Sequence, residues 1–259
     1  MLTPMLLLPP IVNIIVTGLF AGVILRQYLS RHRNYQFYWS ISLSMAFVAT
    51  LAYVAMLLVQ PTSSAGMWLF RIYYILGGAL VPAWLGLGSI ALVSKPYIAR
   101  ICYGTLSLLS VITAIFILVA AINMPVLAQI AGTPGTGTLQ PGPWLVMLII
   151  LNTLGVVAVV GVAIYSGWKL IRRQASMGGI RTSTILWANL LILIGDMLNA
   201  LAGTLARVLG VQSTFWLIMA LGWIVLFGGV LLAGKRPRPA PVTAPNATQG
   251  TITPQAKSV

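Results

Sequence analysis

The sequence predicts an all-α integral membrane protein with seven transmembrane helices, its N-terminus outside and its C-terminus in the cytoplasm. Three observations carry that class. First, 59% of the 259 residues are hydrophobic and only 6% are charged, whereas soluble domains run near 25% charged. Second, seven apolar stretches each exceed the roughly 20 residues that a ~30 Å hydrocarbon core demands of a helix, and the mean hydropathy is +0.99. Third, fifteen Lys or Arg residues face a single acidic residue, and the basic residues gather in alternate connections.

The spans follow in order at about 6–27, 36–59, 67–93, 98–122, 143–169, 182–209 and 213–234. Nothing positive precedes Arg26 in span one and its apolar run is long, so it reads as a helix rather than a signal peptide. Pro9 and Pro10 are expected near its start, where a missing amide hydrogen costs least. Connections after spans one, three and five carry Arg26, Arg31, Arg33, Lys95, Arg100, Lys169, Arg172, Arg173 and Arg181, and the tail carries Lys235, Arg236, Arg238 and Lys257. The intervening connections near 60–66, 123–142 and 210–212 hold no Lys or Arg. Positive charge marks the cytoplasmic side, which fixes the orientation and leaves Arg71 and Arg207 as exceptions near outer span ends. Trp68, Trp144 and Trp216 fall at expected outer ends and Trp39 and Trp168 at inner ends, where interfacial anchors belong. Trp84 and Trp223 lie deeper, as packing or as pocket lining.

Residues 1–234 form the membrane domain and 235–259 a Pro- and Thr-rich tail that reads as a disordered extension. The connection from Asn123 to Pro143 holds Gly132, Pro134, Gly135, Gly137 and Pro141, a composition expected to make a solvated cap without a core of its own.

Composition excludes most chemistry. Paired carboxylates and acid-dependent triads have no residues to build them, and one Asp, one His and one Cys do not supply the three or four ligands of a metal site. No cofactor, no metal and no enzymatic activity are expected. The net charge of +14 is a topology signal rather than a nucleic-acid footprint, because it sits between apolar spans.

Asp196 stands near the middle of span six with apolar neighbours on both sides. A charged carboxylate at that depth costs about 2.5–3.5 kcal/mol on the translocon insertion scale, so it must face the bundle interior, pair or hold a proton. Helical spacing puts Asn189, Asp196, Asn199, Gly203 and Arg207 on one broad face. Two readings fit: a solute, ion or proton site, or a polar clamp between helices. Arg71, followed by Tyr73 and Tyr74, either snorkels to headgroups or reaches toward Asp196. Candidate binding residues are therefore Asp196, Asn199, Asn189, Arg71, Tyr74 and Trp84. Asn13 and Asn152 read as interhelical hydrogen-bond donors, and small residues spaced by four (Gly18 and Gly22; Gly195 with Gly203) as close helix contacts.

A weak internal echo, with Arg33, Trp39, Ala52, Trp68 and Leu69 falling on Arg181, Trp187, Ala200, Trp216 and Leu217, points to a three-plus-one-plus-three parallel repeat. In topology the chain resembles microbial rhodopsins and seven-helix receptors, yet the last span from Ser213 to Gly234 contains no Lys for a retinal Schiff base. The repeat order resembles the SWEET and PQ-loop sugar transporters, without their Pro-Gln signature in any span. Seven-helix input domains of sensor kinases offer a third likeness, here with no output domain. The expected role is small-solute or proton-coupled transport or ligand sensing in a multi-pass protein of the bacterial cytoplasmic membrane. The alternative is a non-catalytic accessory subunit. Expected partners are the lipid bilayer, a small solute or proton, and partner membrane subunits or a second copy.

Overall fold

The computed structural model describes residues 4–174 and 181–234; the tail from residue 235 lies outside them. In chain order the elements are α1 (Pro4–Arg31), α2 (Asn34–Leu58), α3 (Ser64–Tyr73), a π-helical segment (Tyr74–Leu80), α4 (Val81–Val93), α5 (Pro96–Val119), the short α6 (Met124–Ala128), α7 (Pro143–Gln174), α8 (Arg181–Val208) and α9 (Phe215–Gly234). Seven helical stretches among the described residues are long and apolar enough to cross a bilayer, with α3, the π segment and α4 forming one of them. The seven spans expected from the sequence are these. Local chemistry sets several boundaries: Ser63 caps α3 by accepting from the Gly66 amide at 3.0 Å, and Pro96 opens α5, where its lost N–H would have had no helical partner. Span one begins earlier than expected, so Pro9 and Pro10 fall inside α1, within its first two turns.

Packing follows a closed circuit. α1 lies on α2 and α9, α2 on α3, the π segment and α4, α4 on α7, α7 on α8, and α8 on α9. α5 stands outside that circuit against α4, the π segment and α7. Glycine allows the closest approaches. A Cβ on Gly155 of α7 would lie 2.3 Å from the Pro82 carbonyl of α4, and one on Gly195 of α8 would lie 2.6 Å from the Leu226 backbone of α9. Of the small-residue pairs expected from spacing, Gly22 and Gly203 meet nothing within 4 Å and are exposed. Spacing by four selects one helix face, and it does not say whether that face meets protein or lipid.

The connection between α5 and α7 overturns one expectation. It folds into the bundle end and carries a core: Leu127 is 0% exposed, Ile130 1% and Leu139 2%. Its two ends pair, with Asn123 N–H donating to the Thr138 carbonyl at 2.7 Å and Gln140 N–H to the Ala121 carbonyl at 3.0 Å. Gly132, Gly135 and Gly137 take left-handed backbone at φ 80°, 74° and 83°, which turns the chain sharply enough to aim Ile130 and Leu139 inward. Aromatic side chains from three spans hold this cap. Tyr53 donates to the Ile130 carbonyl and accepts from Gly132 N–H, both at 3.0 Å. Tyr73 donates to the Pro134 carbonyl at 3.1 Å, and the Trp216 indole to the Thr133 carbonyl at 3.2 Å. Trp144 and Trp216, expected as interfacial anchors, are instead 5% and 4% exposed within this layer, because the cap covers them. Trp68 and Trp168 remain exposed, as anchors are.

Candidate functional site

α8 presents Asp196 on the inward side of a helix whose opposite side, at Leu190, Ile194, Met197 and Leu201, is exposed and apolar. Asp196 is 6% exposed. One turn toward the cap, Asn199 lies on the same face with its amide oxygen against Gly222 of α9, where a Cβ would stand 2.2 Å away. Asp196 Oδ2 and Asn199 Oδ1 are buried acceptors with no hydrogen-bond donor among the described residues. Asn189, two turns toward the other end, is half-buried.

Arg207 ends this polar face. Although it stands near the outer end of its span, its guanidinium donates to the Tyr74 hydroxyl at 2.8 Å. Tyr74 is buried, with its ring 5.6 Å from Trp144 and 5.4 Å from Phe70. The sequence carried half of this contact, since Arg207 shares the Asp196 face; its partner on span three was not legible. The Arg207 position lies about 16 Å along the helix from Asp196. The face therefore runs from a closed, aromatic end beneath the cap to a carboxyl group at mid-span.

Arg71 turns to the end of α5 rather than to Asp196. Its guanidinium donates to the carbonyls of Ile117 at 2.8 Å, Ala120 at 3.2 Å and Leu118, at the C-terminal end of α5. Those carbonyls lack intrahelical donors and carry the negative end of the helix dipole, so a cation there satisfies both. Trp84 also belongs with α5: its indole donates to the Ser110 hydroxyl at 3.2 Å. Of the six candidate residues, the fold thus gathers Asp196, Asn199 and Asn189 on α8, joins Tyr74 to that helix through Arg207, and commits Arg71 and Trp84 elsewhere.

The π segment has an identifiable cause and an identifiable answer. Pro82 offers no N–H to the carbonyl four residues back, and Val81 N–H reaches five residues back to Leu76. The freed Gly78 carbonyl accepts instead from Asn152 Nδ2 of α7 at 3.0 Å. Asn13 works similarly across α1 and α9, donating to the Trp216 carbonyl at 3.2 Å. Both asparagines are interhelical donors, as their positions in apolar spans predict. No family model matches this chain, and neither curated proteins nor solved structures give a significant match.

Proposed function

We propose that this chain is a membrane transporter or sensor in which Asp196 takes up and releases a proton, or holds a small cationic or hydrogen-bond-donating solute. The observation that carries the proposal is the state of Asp196: the only acidic side chain of the protein, at mid-span, 6% exposed, with no donor to Oδ2 among the described residues. The clamps Asn13 and Asn152 also leave an acceptor oxygen without a donor, but each joins two helices through its amide N–H; an ionised Asp196 has no N–H to do so, and a buried acceptor left unsatisfied costs about 1–3 kcal/mol. Asp196 and Asn199 instead present acceptors that a proton or a donor-bearing ligand satisfies.

Two finer features belong to the same proposal. The circuit α1, α2, α3–α4, α7, α8, α9, with α5 outside, supports a three-plus-one-plus-three arrangement: α1 meets α9 as α7 meets α4. Parallel repeats of this kind enclose midplane sites in some transporters. The charge bias supports a cap side facing outward, so that the cap, the aromatic layer and the Arg207–Tyr74 contact would close the outer approach to Asp196.

Purified wild type and Asp196→Asn, reconstituted in liposomes with an internal pH-sensitive dye, test this under an imposed potassium diffusion potential. Proton entry above that of empty liposomes, lost in Asp196→Asn while the variant keeps its melting temperature, supports the proposal. Equal traces for both proteins, with a melting-temperature loss alone in the variant, would favour the packing clamp and with it the accessory-subunit role.

A further inference from the structure

A recess of ≈ 400 Å³ opens on the apolar exterior, floored by α2 and walled by α1 and the π segment. Its lining includes Leu25 and Tyr28 of α1, Phe37, Ser44 and Val48 of α2, and Leu76. Leu25, Phe37 and Val48 are 43%, 37% and 41% exposed, so the recess faces lipid rather than the bundle interior. From Phe37 to Val48 it spans about 16 Å of helix, one half of a ~30 Å hydrocarbon core. The recess is therefore one leaflet deep.

Its shallow end adjoins a basic turn. The Tyr28 and Phe37 rings meet there at 5.2 Å, tilted by 43°, with the His32 ring edge-on at 5.8 Å from Tyr28. One turn beyond them the chain reverses through Arg31, His32 and Arg33, all exposed. Only His32 and Arg33 separate α1 from α2, with His32 in left-handed backbone at φ 48°. That tight link sets Arg31 three residues past Tyr28 and Arg33 four residues before Phe37, so both positions lie within about a turn of the shallow lining, and Arg31 also lines the neighbouring groove of Val23, Arg26, Gln27 and Ser30. Among the described residues neither Arg31 nor Arg33 has a counter-ion, and the one acidic side chain of the sequence is Asp196, buried in α8.

We propose that this recess binds one anionic phospholipid of the adjoining leaflet, its phosphate at the Arg31–Arg33 turn and an acyl chain lying along α2 from Phe37 to Val48. Charge complementarity selects the headgroup and the depth of the recess selects the chain. The site is independent of the role given to Asp196.

Native mass spectrometry of the delipidated full chain, titrated with phosphatidylglycerol or phosphatidylcholine of identical acyl chains, tests it. One phosphatidylglycerol is expected to be retained at concentrations where phosphatidylcholine is not. Arg31→Gln with Arg33→Gln should weaken that retention on the order of tenfold, whereas Lys95→Gln with Arg100→Gln, on another connection, should leave it unchanged. Ser44→Trp, which fills the recess from an exposed position and spares the arginines, should abolish the one-to-one complex. Equal retention of the two lipids, an equal loss in the Lys95/Arg100 variant, or full retention in Ser44→Trp would each overturn the proposal.

Discussion

Pro82 removes one backbone amide from the middle of span three, and Asn152 replaces it with a side-chain amide at 3.0 Å from the Gly78 carbonyl. Asn152→Ala should therefore cost about 1–3 kcal/mol, read as a drop in melting temperature. Pro82→Ala restores an N–H to the chain, so the double variant should lose less than Asn152→Ala alone; additive losses would contradict the pairing. Arg71 makes a second residue-scale case. Its three carbonyl contacts at the end of α5 predict that Arg71→Gln costs about 1.5–3 kcal/mol. Combined with Asp196→Asn the two effects should add, because the guanidinium and the carboxyl group serve different helices. A coupling above about 0.5 kcal/mol would show a pair that the geometry does not contain. The sequence made Asp196, Asn13 and Asn152 legible because a polar group in an apolar span has few explanations. It did not reveal where Arg71 and Arg207 point, since a long side chain near a helix end reaches several destinations equally well.

At the scale of elements, helix existence was legible and helix contact was not. Apolar run length predicts seven spans without reference to neighbours, but a glycine's spacing does not distinguish protein from lipid on its far side. Gly155 and Gly22 make the contrast measurable. An added Cβ at Gly155 meets the Pro82 backbone at 2.3 Å, while one at Gly22 meets nothing within 4 Å. Gly155→Ala should destabilise the protein by at least about 1–3 kcal/mol through overpacking. Gly22→Ala should be neutral or stabilising by about 0.5–1 kcal/mol, because glycine weakens a helix interior. Similar melting temperatures for the two variants would refute the packing of α4 on α7. The cap escaped the sequence for a related reason. Its glycines and prolines announced turns correctly, yet Leu127, Ile130 and Leu139 are too few and too scattered to read as a core until Tyr53, Tyr73 and Trp216 supply the rest of it.

For the whole molecule, the charge bias and the interior polar face make separate claims. If the cap side is external, a reporter inserted at Gly137, which is exposed and has open space around its Cα, should be accessible from outside the cell, and a reporter after Gly234 should read as cytoplasmic. The reverse pattern would invert the orientation without touching the site. The site itself has an unusually clean spectroscopic handle: Asp196 is the sole carboxylic side chain in 259 residues. Infrared difference spectra of wild type minus Asp196→Asn in nanodiscs, recorded across pH in H₂O and D₂O, isolate its C=O stretch from the chain-terminal carboxyl group, which both proteins share. A band that titrates with pH and shifts in D₂O is the expected result for a group exchanging protons with water. A band that neither titrates nor shifts would contradict a proton-exchanging Asp196 and leave it a sealed structural group.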